Sequence, residues 1–91
     1  MENKVLVKII VSELDVSYDV FIPVNEIIWK IKKLLVKSLS DVMGGVLDPQ
    51  QDYLLINKDN GTIYNNNDLV IDTDIRNTTE LLFISNVNKG E

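Results

Sequence analysis

The side chains of this 91-residue chain that could do chemistry are oxygen-rich and lie in its second half. Residues 65–68 read Asn-Asn-Asn-Asp, and Asp72 and Asp74 follow shortly after. Ca²⁺ accepts such carboxylate and amide oxygens, but turns use the same residue types. Residues 57–61 place their glycine one position early for an EF-hand loop, and no glutamate follows where that loop needs one. We therefore predict turns here, with no bound metal or cofactor.

Nucleophilic catalysis has little support, because the chain contains neither histidine nor cysteine. A serine hydroxyl needs a base to activate it, and none is placed beside the serines at positions 12, 17, 38, 40 and 85. The acidic pair Asp72 and Asp74 falls in a predicted surface loop. A chain this short also has little room for a substrate cleft beside its core. We predict that the protein is not an enzyme.

Composition narrows the class of partner. The 45% hydrophobic content is typical of a folded globular domain. The net charge of −5 argues against nucleic acid and anionic membranes, which need a basic surface. The apolar run at residues 5–11 is interrupted by Lys8 and is too short to span a membrane. We expect a cytoplasmic protein with a protein partner and no membrane insertion.

Two strands form a predicted hairpin at the start of the chain. Residues 4–12 alternate, so that one face of the strand carries Val5, Val7, Ile9 and Val11. A tight connection at residues 12–15 leads to a second strand, whose apolar positions at period two are Val16, Tyr18, Val20 and Ile22. Pro23 then ends this strand.

An amphipathic helix follows. Asn25 is placed as its N-cap, with Glu26 in the first turn. The helix is predicted to run to Met43, and Gly44 suits the left-handed position that ends helices. Its apolar stripe comprises Ile27, Ile28, Ile31, Leu34, Leu35, Leu39 and Val42.

The second half contains shorter elements. Residues 53–56 are predicted as a strand, and residues 59–62 as a type I′ turn leading to a short return strand at residues 63–64. Residues 80–84 form the last strand. Three apolar residues are expected to anchor the intervening polar loop: Leu69, Ile71 and Ile75.

The element order ββαββ predicts an α+β protein with a mixed sheet of four to five strands around one helix, the β-grasp architecture. The first and last strands should be central and parallel. Residues 1–91 form a single domain, ordered over about residues 4–85, with a loose tail at 86–91.

Over residues 4–85 the chain resembles the ubiquitin family. The residues that carry the resemblance are 48–51 (Asp-Pro-Gln-Gln), the loop from Leu69 to Ile75, and 77–81 (Asn-Thr-Thr-Glu-Leu). A closer resemblance is to the YukD/EsaB family of small bacterial proteins that accompany type VII secretion systems. The segments that carry this resemblance are residues 18–23 (Tyr-Asp-Val-Phe-Ile-Pro), 55–59 (Leu-Ile-Asn-Lys-Asp) and 74–77 (Asp-Ile-Arg-Asn).

These resemblances imply a non-enzymatic interaction module, an accessory or regulatory component of type VII secretion. Residues 85–91 carry no Gly-Gly pair, so conjugation through the C-terminus is not expected. Two alternatives stay open. One is a ubiquitin-like modifier whose tail needs processing near Gly90, and the other is a homodimer or complex subunit unrelated to secretion.

The strand alternation points to a binding surface. If Val7 and Ile9 face the helix, another set of apolar residues faces away from it, on what we call the open face: Leu6, Ile10, Phe21, Leu54, Ile56, Leu82 and Ile84. Ubiquitin relatives bind partners with this side of the sheet. So many apolar residues on one face favour an interface over scattered surface residues.

The outer side of the helix is a second candidate surface. Residues 25–43 carry four lysines and two acidic residues (+2), whereas five basic and twelve acidic residues elsewhere give −7. A solvated face is the simpler explanation of these charges, and an acidic partner is the functional one. The residues concerned are Trp29, Lys30, Lys33 and Lys37, with Val36 also placed outward. Trp29 would alternatively staple onto Val24.

Overall fold

The structure is a computed structural model that describes residues 3–44, 47 and 51–86. The expectations for the loop at 48–50, for Gly90 and for the tail beyond Asn86 lie outside these residues. One α-helix packs on a four-stranded mixed sheet with the strand order β2-β1-β4-β3. The elements are β1 (Lys4–Val11), β2 (Val16–Pro23), α1 (Ile28–Met43), β3 (Tyr53–Asn57) and β4 (Glu80–Ser85).

The two central strands, β1 and β4, are parallel, as predicted from the element order. Each has an antiparallel neighbour on its outer side, β2 beside β1 and β3 beside β4. Asn77 extends the central pairing, because its side-chain oxygen accepts a hydrogen bond from the Leu6 amide at 2.8 Å. The Lys8 amide donates to the Thr79 carbonyl at 3.0 Å. The fold class is therefore confirmed as α+β β-grasp.

A single core lies between α1 and one side of the sheet. The alternation in β1 is confirmed, since Val7, Ile9 and Val11 are buried. Ile22 of β2 is also buried in this core. Phe83 of β4 stacks on Tyr53 of β3, with ring centroids 4.7 Å apart. The helix contributes four of its buried side chains to the same core: Ile28, Ile31, Leu35 and Leu39.

The helix begins later than predicted, and the assignment of Asn25 as N-cap is wrong. Ile27 is the cap residue and makes no side-chain capping hydrogen bond. Backbone carbonyls of the polar loop take over the capping role. The Ile28 amide donates to the Asp68 carbonyl at 2.9 Å, and the Trp29 amide donates to the Asn66 carbonyl at 3.0 Å. The predicted end is confirmed, with Gly44 in the left-handed region at φ 76°.

The helix is also rotated relative to the predicted stripe. Leu34 is 49% exposed, whereas Val36, expected to face outward, is buried, and so is most of Lys32. The cause is the segment before β3, because Asp52 and its neighbours line a small pocket on the Val36 side. Val42, in the last turn, is exposed beside an open cleft at the start of β2.

The loop after β3 differs from its prediction in two ways. Residues 63–64 form no strand, and Ile63 makes only an isolated bridge with Ile56. The turn before it is not type I′, because Gly61 has a positive φ and Asn60 does not. The residues that anchor the following segment are Ile75, as predicted, and Val70, while Leu69 and Ile71 are exposed.

Candidate protein-binding surface

Five apolar residues meet on the open face, and we call them the sheet cluster: Ile10, Leu54, Ile56, Leu82 and Ile84. Leu54 is the register partner of Ile84, and Ile56 is the partner of Leu82. Ile10 is the partner of Leu82 on the opposite side, across the parallel pairing. Directly opposite residues on one face have Cβ atoms within contact range. All five are intermediate in exposure, so each is partly accessible to solvent.

A row of charges borders the sheet cluster. Lys8 lies opposite Asp19 on one side and Glu80 on the other, and the Lys58 amide bonds the Glu80 carbonyl at 3.0 Å. The row therefore crosses β2, β1 and β4 with alternating sign and ends at Lys58, directly after β3. Two ion pairs lie within it, Lys8 to Asp19 at 3.6 Å and Lys58 to Glu80 at 3.2 Å. Exposed pairs add little stability, but they give the apolar cluster a polar rim, as interfaces commonly have.

Leu6 and Phe21 lie on the open face but outside the sheet cluster. They are register partners of each other, in β1 and β2. The charged row separates this pair from the other five residues, so the structure does not bring all seven together. Phe21 is 63% exposed and forms a second, smaller apolar area at the β2 edge of the sheet.

Ile63 belongs beside the sheet cluster and was not among the residues expected there. It is 57% exposed and lies directly opposite Ile56 in an isolated bridge. Bridge partners share a face, so Ile63 extends the cluster beyond β3. The signal was present in the sequence, since Ile56 and Ile63 flank the turn at residues 57–62 symmetrically.

In the oxygen-rich loop, the Asp74 carboxylate accepts hydrogen bonds from neighbouring side chains. The Tyr64 hydroxyl donates a short hydrogen bond to Asp74 Oδ1, and Asn60 Nδ2 donates to Asp74 Oδ2 at 3.0 Å. Asn57 Nδ2 donates to the Tyr64 hydroxyl at 3.2 Å. The bond from Tyr64 lowers the pKa of the Asp74 carboxyl. Burial, reinforced by Asp74, raises the pKa of the Tyr64 hydroxyl to about 12.

The Tyr64–Asp74 hydrogen bond should make the free energy of unfolding depend on pH in the acidic range. Because the pKa of Asp74 is lower in the folded state, its contribution is present above the unfolded value and is lost as pH falls through the folded value. Tyr64→Phe should lower the unfolding free energy by about 1–2 kcal/mol at neutral pH, and by less near pH 3. Urea unfolding at both pH values measures this. Asp72→Asn, at an exposed carboxylate, is the control, and a Tyr64→Phe effect that grew in acid would contradict the assignment.

No group of three or more His, Cys, Asp or Glu side chains comes together within the described residues. Polar groups of the loop form hydrogen bonds within the protein. The carbonyls of Asn66 and Asp68, for example, accept hydrogen bonds from the first amides of the helix. We expect EDTA dialysis to leave the thermal unfolding midpoint unchanged. A fall of several degrees, reversed by added Ca²⁺, would show that a metal stabilises the fold.

The helix residues of the second candidate surface are exposed together. Trp29 is 47% exposed, and the Lys33 ammonium lies 5.2 Å from the centre of its ring. Lys30 forms an ion pair with Glu26 at 3.9 Å. The Trp29 staple is not formed as proposed, because the helix starts at Ile28 and Trp29 is only its second residue.

Among the described residues, no helix has the length and apolar character to cross a membrane.

No protein-family model matches the sequence, and no curated protein matches it. Solved structures do match the fold. A chain of the ESX-5 inner membrane complex (MycP5-free, State II) gives a TM-score of 0.73 at 15% identity, covering 97% of this chain and 22% of that one. The ubiquitin-like domain of Plasmodium falciparum Dsk2 gives 0.70 at 12% identity, covering 91% and 99%. ATBAG1, crystallised in complex with HSP70, gives 0.65 at 16% identity, covering 89% and 40%.

These similarities establish the fold. The match spans only about a fifth of the length of the ESX-5 chain. The Dsk2 domain, by contrast, is matched over nearly its whole length. The helix on one side of a mixed four-stranded sheet, with parallel central strands, is common to the sequence expectation and the structure. The chain has the ubiquitin-like β-grasp fold.

Proposed function

We propose that this protein is a non-enzymatic interaction module that binds a protein partner through the sheet cluster. The observation that carries the proposal is the convergence of five apolar residues from β1, β3 and β4 on the side of the sheet away from the helix. Apolar side chains on that side contribute nothing to the core between the sheet and α1. Their contiguity is what an interface centre requires.

The rim of the cluster defines the partner further. Lys8, Asp19, Lys58 and Glu80 alternate in sign, so the rim does not select a strongly acidic or strongly basic partner. The partner surface should therefore be apolar at its centre and carry paired charges on one side. A charge row of this kind sets orientation more than affinity.

We further propose that the partner belongs to a bacterial type VII secretion system, in which the protein acts as an accessory or regulatory component in the cytoplasm. The YukD/EsaB-like segments at residues 18–23, 55–59 and 74–77 support this assignment. The fold similarity to a chain of an ESX-5 inner membrane complex is consistent with it.

Affinity capture tests both parts of the proposal. The purified protein and its Leu54→Asp variant would be immobilised and exposed to extract of the cells that produce the protein, followed by quantitative mass spectrometry. We expect secretion-machinery components to be enriched on the wild type and lost from the variant. Asn65→Asp, at an exposed position of the polar loop and outside the sheet cluster, is the control. Equal recovery on wild type and Leu54→Asp would contradict the role of the cluster.

A further inference from the structure

The outer side of α1 carries a concave surface that the sheet cluster does not involve. We call it the helix groove, with a volume of about 360 Å³, lined by Pro23, Glu26, Trp29, Lys30, Lys33, Leu34 and Lys37. The core and the sheet lie between this groove and the open face. The two surfaces therefore share no residue and can be occupied at the same time.

Two large apolar side chains form the walls of the helix groove. Trp29 is 47% exposed and Leu34 is 49% exposed. At about 100° per residue, these positions lie on opposite borders of the exposed arc of the helix. The Trp29 backbone is fixed by its hydrogen bond to the Asn66 carbonyl. An exposed, positioned tryptophan is the residue type most enriched at the energetic centres of protein interfaces.

The charges between these walls are mostly positive. Lys30, Lys33 and Lys37 occupy the arc between Trp29 and Leu34, and Glu26 is already paired with Lys30. In the described part of the chain, neither Lys33 nor Lys37 has a carboxylate within ion-pair distance. Asp41, one turn further along, is the other acidic residue of the region. Within the described residues, the groove therefore combines apolar walls with two lysines, Lys33 and Lys37, that form no ion pair.

We propose that the helix groove binds an acidic segment of a partner protein, which inserts an apolar side chain between Trp29 and Leu34. Carboxylates of that segment would contact Lys33 and Lys37. Charge complementarity selects this occupant, because residues 25–43 carry +2 while the remainder of the chain carries −7. An acidic segment is therefore favoured at this helix over the remainder of the chain, whose net charge is negative. The protein then has two independent docking surfaces, which goes beyond the interaction proposed for the open face.

Trp29 allows this proposal to be tested directly, because it is the only tryptophan in the chain. The probe is a synthetic amphipathic peptide with leucines at helical spacing and glutamates at its other positions. The control peptide has lysine in place of every glutamate. We expect the acidic peptide to change Trp29 fluorescence saturably and to bind at least about tenfold more tightly than the basic one. Added salt should narrow this difference.

Matched variants locate the binding. Lys37→Glu should weaken the acidic peptide by about tenfold or more, whereas Lys58→Glu, with the same charge change at the rim of the open face, should not. Leu34→Ala should weaken it by about threefold or more. Val42→Ala is its control, since Val42 is 80% exposed and outside the groove. Circular dichroism would verify that each variant is folded.

The outcomes separate this proposal from the one for the open face. Leu54→Asp should leave peptide affinity unchanged, so loss of partner capture and retention of peptide binding can be observed in the same variant. Equal affinity for the acidic and basic peptides would overturn the groove proposal, as would full affinity in both Lys37→Glu and Leu34→Ala. Self-association by light scattering that Lys37→Glu abolishes would identify a second copy as the occupant, and would also overturn it.

Discussion

Leu35→Ala is expected to lower the free energy of unfolding by about 2–5 kcal/mol. Leu35 is 1% exposed and packs in the centre of the core between α1 and the sheet. Truncation removes buried apolar surface and leaves a cavity that the neighbouring side chains fill incompletely. Urea unfolding followed by circular dichroism measures the change, with Ile31→Ala expected to fall in the same range because Ile31 is also fully buried.

The adjacent residue provides a control of the same chemical type. Leu34 is 49% exposed, so Leu34→Ala should change the unfolding free energy by no more than about 0.5 kcal/mol. Lys33→Ala should have an equally small effect. A larger loss at Leu34 than at Leu35 would mean that the helix presents Leu34, rather than Leu35, to the core, and would contradict the burial described above.

Leu54→Asp is expected to abolish most partner binding while the protein stays folded. Leu54 lies on the open face opposite Ile84, so a carboxylate there remains at the surface in the free protein. In a complex the same carboxylate would be buried in an apolar contact without a counter-charge. Binding should weaken by about 2 kcal/mol or more if Leu54 is central to the interface. Leu82→Asp should behave in the same way, and isothermal titration calorimetry with a captured partner measures both.

The neighbouring residue on the same strand again serves as the control. Leu55 is fully buried on the helix side of β3, so Leu55→Asp should unfold the protein rather than remove binding selectively. Unfolding by Leu54→Asp and Leu82→Asp would show that these residues belong to the core. Retention of full affinity in both folded variants would place the interface elsewhere, with the residues from Trp29 to Lys37 as the next candidates.

The parts of the fold that follow from local periodicity could be predicted. Alternation at Val7, Ile9 and Val11 correctly assigned the two sides of β1, because a strand has one face toward a helix and the other toward solvent. The helix end was equally local, since Gly44 adopts the left-handed conformation that glycine allows. The apolar residues of the open face could be identified for the same reason.

The remaining features depend on contacts between distant segments. Asn25 has the right chemistry for an N-cap, but the carbonyls of Asn66 and Asp68, some 40 residues away, satisfy the helix amides instead. Val36 is buried by the segment that precedes β3. The helical periodicity around Val36 contains no information about that distant segment.

Strand order likewise decides how the open face is divided. The charged row that separates Leu6 and Phe21 from the sheet cluster begins with Lys8 opposite Asp19. It extends to Glu80 because β1 and β4 are aligned with Lys8 opposite Glu80. That register is set by the folded sheet and is not encoded in either strand alone.

Chemical-shift mapping of the isotope-labelled protein with its captured partner tests the central claim most directly. If the sheet cluster is the interface, the largest amide shifts on titration will fall at Ile10, Leu54, Ile56, Leu82 and Ile84, and at Ile63 beside them. The buried strand positions that face α1, such as Leu55 and Phe83, should shift less. Shifts confined to α1, with the open face unchanged at saturation, would contradict the account.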